Sequence, residues 1–132
     1  MDAMIRCEEY DIEADAWQEL PYLNVGRYYH SAAVFFNKFV YVFGGISQKI
    51  SGKYLNTVEF LNLEKKNCWD IISFQDNEFP KRQGCGAMQL DDYQILIFGG
   101  YSGDFLKDSY LFNVNTKLMT KTMDMPIECL PY

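Results

Sequence analysis

The chain has 132 residues, of which 48% are hydrophobic and 17% aromatic, and so many core-forming side chains exclude an intrinsically disordered segment. The formal charge of −6 and the pI near 4.7 provide no basic surface for nucleic acid or anionic membranes, so we expect neither as a partner. Acidic residues near the start, where a secretory signal needs a basic region, and apolar runs far shorter than ~20 residues predict a soluble, cytoplasmic protein without a membrane span.

The predicted elements are all β-strands, and no helical period of apolar residues competes with them. In chain order they begin with a strand pair around Tyr10 and Trp17, followed by two groups of four strands. The first group is predicted at His30–Phe35, Phe39–Phe43, Thr57–Leu63 and from Trp69 onward, and the second at Cys85–Leu90, Gln94–Phe98, Ser109–Val114 and from Met119 onward. Polar turns at Asn37-Lys38 and Asp91-Asp92 are typical of hairpins that join the first two strands of each group.

The two groups repeat each other without a gap. Gly44-Gly45 and Gly99-Gly100 lie 55 residues apart, and each pair directly follows an apolar strand. The same offset aligns Arg27 with Arg82. A fixed period of this length indicates stacked copies of one supersecondary unit.

A third, partial copy precedes these two. The segment from Asp11 to Trp17 matches Asn62 to Trp69, although the second is one residue longer, and Met119 replaces the tryptophan in the last copy. The repeat divides the chain into the last two strands of a unit at 1–24, full units at 25–76 and 77–126, and a tail or the start of another unit at 127–132.

These features together resemble the kelch repeat, a four-stranded antiparallel blade of about 50 residues. The resemblance covers nearly the whole chain and implies an all-β fold of β-propeller blades. Because propellers usually close with 4 to 8 blades, about two and a half blades imply an incomplete propeller, to which another segment or chain could add blades. In this fold Gly44, Gly45, Gly99 and Gly100 are expected to serve sharp turns and close backbone approaches, and Trp17 and Trp69 to pack between blades.

The residues that could support catalysis or metal binding are few. His30 is the only histidine, so a copper site or a nucleophile–histidine arrangement would depend on it alone. The four cysteines lie far apart, form no C-x-x-C pair, and are interpreted as reduced thiols. We therefore expect no metal, no cofactor and no enzymatic activity, and a kelch-fold enzyme that lacks its active site in this chain is the less favoured alternative.

The function that the resemblance implies is a protein-interaction module or scaffold. Kelch-like blades typically contact partners through the loops that join strand two to strand three and strand four to the next strand one. Aromatic and arginine side chains supply most binding energy at protein interfaces. The candidates for partner binding in these loops are Arg27, Tyr28, Tyr54, Arg82, Tyr101 and Phe105. The alternative is a purely structural fragment or subunit of a larger propeller.

Overall fold

The computed structural model describes residues 5–49 and 53–126, and these form strands, turns and loops without an α-helix. The twelve strands are β1 (Cys7–Asp11), β2 (Ala16–Leu20), β3 (Arg27–Tyr28), β4 (Ser31–Phe35), β5 (Phe39–Phe43), β6 (Ile46–Ser47), β7 (Val58–Asn62), β8 (Trp69–Ile72), β9 (Gly86–Gln89), β10 (Gln94–Phe98), β11 (Ser109–Asn113) and β12 (Met119–Lys121). β3 and β6 are two-residue strands that the sequence did not predict.

The strands form two four-stranded antiparallel sheets, one two-stranded sheet and one short pair of two-residue strands. Their orders are β4-β5-β7-β8, β9-β10-β11-β12 and β1-β2, while β3 pairs separately with β6. We name the first two sheets blade 1 and blade 2, and β1-β2 the half-blade. The all-β, four-stranded architecture predicted from the repeat is confirmed. The segments 1–24, 25–76 and 77–126 each contain one of these sheets, whereas 127–132 lies outside the described residues.

An asparagine or aspartate fixes the same turn in all three sheets. The Oδ1 atoms of Asp11, Asn62 and Asn113 each accept hydrogen bonds from the amides two and three residues later, at 2.9–3.2 Å. Such side-chain bonds satisfy amides that the turn would leave without a backbone partner. These three residues therefore provide a structural register for comparing the sheets.

The core lies between the sheets, so the inner strands are buried on both faces. In β5, Val42 faces the half-blade while Tyr41 and Phe43 face blade 2. The ring of Phe112 from blade 2 lies 5.6 Å from Tyr41 and 5.9 Å from Phe43. Burial on both faces explains why this strand has no alternation of polar and apolar residues.

The two predicted packing tryptophans lie in different environments. Trp69 is buried, and its indole Nε1 donates a 2.8 Å hydrogen bond to the carbonyl of Pro21 in the segment between the half-blade and blade 1. Trp17 occupies the corresponding place in β2 but is 67% exposed. The expectation that Trp17 packs between blades is corrected, because it lies on the face of the half-blade that points away from blade 1.

Candidate binding surface at the loop end of the blades

The antiparallel order separates the connections into two ends. The hairpin turns, at 36–38, 63–68, 91–93 and 114–118, lie at one end, which we call the turn end. The segments between strands two and three and between strand four and the next strand one lie at the other, which we call the loop end. All six residues predicted for partner binding are in loop-end segments.

Arg27 begins blade 1 and is buried. Its Nη1 donates to the carbonyls of Gly44 (2.9 Å) and Thr57 (3.1 Å), and its Nη2 donates to Oε2 of Glu59 at 2.7 Å. Burial lowers the pKa of Arg27, and the charge and hydrogen bond of Glu59 oppose this shift. The guanidinium thereby joins the start of the blade to the ends of its second and third strands.

Arg82 repeats this arrangement in blade 2. It donates to the carbonyl of Gly99 (3.1 Å) and to both carboxylate oxygens of Asp108 (2.5 and 2.9 Å), and its guanidinium stacks on the ring of Phe79. Burial raises the pKa of Asp108, but the hydrogen bonds and charge of Arg82 outweigh it, and the pKa is lowered overall. Two parallel bonds to one carboxylate are the geometry that arginine favours.

The prediction that Arg27 and Arg82 contact a partner is therefore wrong. Neither side chain has exposed surface, and the donors of each are directed at groups within its own blade. The sequence shows that both residues are charged. It does not show which carboxylate each one binds, because the partners lie 26 to 32 residues further along the chain. Their role is to hold the loop end in place.

The predicted aromatic residues form a row that crosses from blade 1 to blade 2. The ring centroids of Tyr54 and Tyr101 are 6.4 Å apart, and those of Tyr101 and Phe105 are 5.3 Å apart. Backbone bridges hold Tyr54 opposite Ile46 and Tyr101 opposite Phe105. Phe105 is half exposed, so the row presents apolar surface on a backbone that these bridges hold.

A cavity of about 510 Å³ opens beside the starts of the two blades and is lined by Tyr29, His30, Gln83 and Gly84. The amide of Gly84 donates to the carbonyl of Tyr29 at 2.9 Å, which joins the two walls. Gln83 exchanges two 2.9 Å backbone hydrogen bonds with Tyr101, so the cavity and the aromatic row belong to one framework. We call the cavity and the row together the loop-end site.

Tyr29, His30, Gln83 and Gly84 are not among the binding residues that the sequence predicts. The signal was present, since the 55-residue offset places Gly84 opposite Tyr29 and the glycine has no side chain to fill the space. Tyr28, which the sequence predicts as a binding residue, pairs through its backbone with Ile46 and packs its ring 5.1 Å from that of Tyr29.

His30 contributes its imidazole to the cavity wall, and its lowered pKa favours the neutral form of the ring. It is exposed there, but the protein atoms around its ring displace enough water to lower its pKa, and the positive charge of Arg27 acts in the same direction. A neutral imidazole can both donate and accept a hydrogen bond. No group of three or more His, Cys, Asp or Glu side chains suited to a metal ion occurs among residues 5–49 and 53–126.

The repeated blades, the double glycines and the arginines that begin each blade agree with a comparison against protein families. The model of the KLHDC2/KLHL20/DRC7 Kelch-repeats domain matches residues 6–126. The chain belongs to the kelch-repeat family. No curated protein matched this kelch-repeat chain. In the part of it that the structure describes, no helix is long and apolar enough to cross a membrane.

Proposed function

We propose that this kelch-repeat chain is a non-catalytic protein-interaction module that binds a segment of a partner protein at the loop-end site. The observation that carries the proposal is the continuity between the partly exposed aromatic row and the cavity beside it. Tyr101 belongs to the row and is hydrogen-bonded through its backbone to Gln83 in the cavity wall. A row of rings with an adjoining cavity suits a peptide that inserts one side chain into the cavity and lays its backbone across the row.

The chemistry of the site favours a protein segment over a nucleic acid. Tyrosine rings provide broad contact area together with a hydroxyl group, and aromatic anchors dominate the energetics of protein interfaces. The cavity volume falls within the range of small-molecule and side-chain pockets. Phosphate groups would meet a chain of net charge −6, with Arg27 and Arg82 already bound to carboxylates.

The residues proposed to touch the partner are Tyr28, Tyr29, His30, Tyr54, Gln83, Gly84, Tyr101 and Phe105. Arg27 and Arg82 stabilise this surface without touching the partner, because each arginine holds the backbone at the end of a second strand. We place the protein in the cytoplasm, where the thiols of Cys7, Cys68 and Cys85, which are free in the structure, would remain reduced.

A second candidate function is that of a subunit or segment of a larger propeller. It is favoured by apolar side chains on the outward faces of the half-blade and of blade 2, including Trp17 at 67% and Met88 at 50% exposure. The two functions are compatible, since further blades would cover these faces and leave the loop-end site open.

The experiment is a selection of peptides from a random display library against the 132-residue chain, followed by affinity measurements on variants. Phe105 and Phe36 are both 50% exposed, but Phe105 lies in the loop-end site and Phe36 at the turn end. We expect Phe105→Ala and Tyr29→Ala to weaken the selected peptides about tenfold or more, because each removes an aromatic anchor. Phe36→Ala should change the affinity by less than about twofold.

The proposed site would be refuted if the selected peptides bound Phe105→Ala and Tyr29→Ala as tightly as the unaltered chain. Equal losses in Phe36→Ala and Phe105→Ala would also count against it, because that result would indicate non-specific adhesion to exposed rings. Circular dichroism of each variant checks that the β-structure is retained.

A further inference from the structure

The backbone at Tyr29 adopts a conformation that tyrosine rarely takes. Its φ is +56°, and the residue at the same position of blade 2, 55 residues later, is Gly84 with a φ of +63°. Glycine enters this left-handed region without a steric clash, whereas a residue with a Cβ atom is strained there. The position therefore suits glycine in both blades, and blade 1 carries a strained tyrosine instead.

Packing in the core does not explain this tyrosine. Tyr29 is 66% exposed, and its ring meets that of Tyr28 edge-on at 5.1 Å. The residue lines the cavity of the loop-end site. Strained residues of this kind are concentrated at active sites and ligand-binding sites. The strain at Tyr29 thus directs attention to what its ring presents to the cavity.

The cavity walls carry polar groups that no other protein group binds. Within residues 5–49 and 53–126, the hydroxyl of Tyr29, the imidazole of His30 and the carboxamide of Gln83 make no hydrogen bond with another protein group. Each of these groups can donate and accept a hydrogen bond when His30 is neutral. His30 and Gln83 belong to different walls, so a molecule in the cavity meets a donor and an acceptor on both sides.

The lining gives a charged side chain no counter-charge. The lining residues other than His30 are uncharged, and the lowered pKa of His30 favours its neutral form. A charged side chain would lose part of its hydration here without forming an ion pair. An apolar side chain would separate the polar groups of the walls from water without replacing their hydrogen bonds. The lining therefore fits an uncharged side chain that has both a donor and an acceptor.

Two glycines fix the positions of the walls. A Cβ atom at Gly45 would lie 3.1 Å from the Cα atom of His30, and one at Gly100 would lie 2.6 Å from the carbonyl oxygen of Gln83. Each wall thus packs directly on the backbone of a glycine. Because these contacts hold the walls in place, a side chain that fits the cavity binds with little rearrangement.

We propose that the loop-end cavity is a subsite for the carboxamide side chain of a glutamine or asparagine in the partner, with Tyr29 as a specificity-determining residue. The proposal rests on the protein-interaction function proposed above. The amide oxygen accepts from one wall, the amide nitrogen donates to the other, and the planar group stacks on the ring of Tyr29. A carboxamide serves the two walls with separate atoms, whereas a hydroxyl has one oxygen for both.

The first test uses single amino acids blocked by an N-acetyl and a C-methylamide group as probes: glutamine, glutamate and methionine. The three side chains are similar in length, but glutamate adds a charge and methionine lacks the hydrogen-bonding groups. Each is titrated into the 132-residue chain at about pH 7.5, above the lowered pKa of His30, while the amide NMR signal of Gly84 is followed. We expect saturable shifts with glutamine and affinities about three- to tenfold lower for the other two, the factor that hydrogen bonds between neutral groups supply.

The polar wall is tested with Gln83→Met. This change removes the carboxamide but retains the two backbone hydrogen bonds to Tyr101. We expect the variant to lose most of the preference for the glutamine probe over the methionine probe. An unchanged preference would show that Gln83 does not read the inserted side chain.

The role of Tyr29 is tested with Tyr29→Gly, which removes the ring and relieves the backbone strain. We expect the variant to lose most of the shift with the glutamine probe, while its unfolding temperature is no lower than that of the original chain. The matched control is Phe36→Gly, because Phe36 is a half-exposed aromatic residue at a φ of +51° at the turn end. It should bind the glutamine probe unchanged. A purely structural Tyr29 would give the opposite result, a lower unfolding temperature with unchanged binding.

The proposal is overturned if the three probes bind alike, if none of them shifts Gly84, or if a blocked serine binds more tightly than glutamine, which would identify a hydroxyl subsite. Its failure is distinguishable from failure of the proposed function. Selected peptides that depend on Phe105 and Tyr29, but bind equally well after every glutamine and asparagine is replaced, would contradict the carboxamide subsite alone. Selective binding of the glutamine probe without binding of any peptide would contradict the interaction function alone.

Discussion

Arg27 and Glu59 form an ion pair with no exposed side-chain surface. Removing two charges from water is costly, and the pair is tolerated because other groups satisfy its remaining donors and acceptors. Glu59 also accepts from the amides of Asn24 and Val25, at 2.7 and 3.0 Å. This single carboxylate therefore fixes the segment that enters blade 1.

We predict that Glu59→Gln lowers the free energy of unfolding by about 3–5 kcal/mol, because it leaves the buried guanidinium of Arg27 without a counter-charge. The control is Glu9→Gln, which removes the partner of Lys66 in a partly exposed pair and should cost less than about 1 kcal/mol. Urea denaturation of the three proteins measures both differences. Similar losses in the two variants would show that burial does not determine the strength of these pairs.

The same residues show how much of the loop-end structure the sequence alone predicts. The spacing identified Arg27 and Arg82 as repeated positions, but it could not distinguish a buried structural arginine from a surface anchor. That distinction depends on Glu59 and Asp108, which occupy different registers of the third strand and so do not align with each other. Trp17 was misassigned for a related reason, since a repeat predicts the environment of a residue only when its neighbours are also present.

At the level of elements, the strands were predictable because each combines an apolar run with a recognisable boundary. Double glycines mark the ends of β5 and β10, and an asparagine marks the ends of β7 and β11. The short strands β3 and β6 were missed, since two residues are too few to show a period. The cavity could not be predicted either, because its walls come from segments 55 residues apart.

The second glycine of each pair combines an unusual backbone conformation with a close contact. Gly100 has a φ of +110°, and a Cβ atom there would lie 2.6 Å from the carbonyl oxygen of Gln83. Gly103, in the same loop, has a φ of +94° but nothing within 4 Å of a Cβ atom. The two positions therefore separate the effect of backbone strain from that of the contact.

We predict that Gly100→Ala is more destabilising than Gly103→Ala by about 2 kcal/mol or more. Both variants place an alanine at a positive φ, which strains the backbone. Only Gly100→Ala must also displace the backbone that lines the cavity. Thermal and urea unfolding of the two variants provide the comparison. Equal losses would mean that the close approach to Gln83 contributes nothing to stability.

At the scale of the whole molecule, stability comes from packing between sheets. Residues from blade 1 and blade 2 form one core cluster, and a smaller cluster joins blade 1 to the half-blade. Because successive sheets share one orientation, their loop-end segments meet at one end, where residues from different blades form a single cavity. The binding site that we propose is thus a consequence of stacking, and no single blade contains it.

The loop-end site is tested most directly by mapping a selected peptide onto the chain through amide chemical-shift changes in two-dimensional NMR. We expect the largest changes at Tyr29, His30, Gln83 and Gly84 and along 101–105, with little change at the turn end around 36–38 and 91–93. Changes confined to the turn end, or to the outward faces that carry Trp17 and Met88, would contradict it.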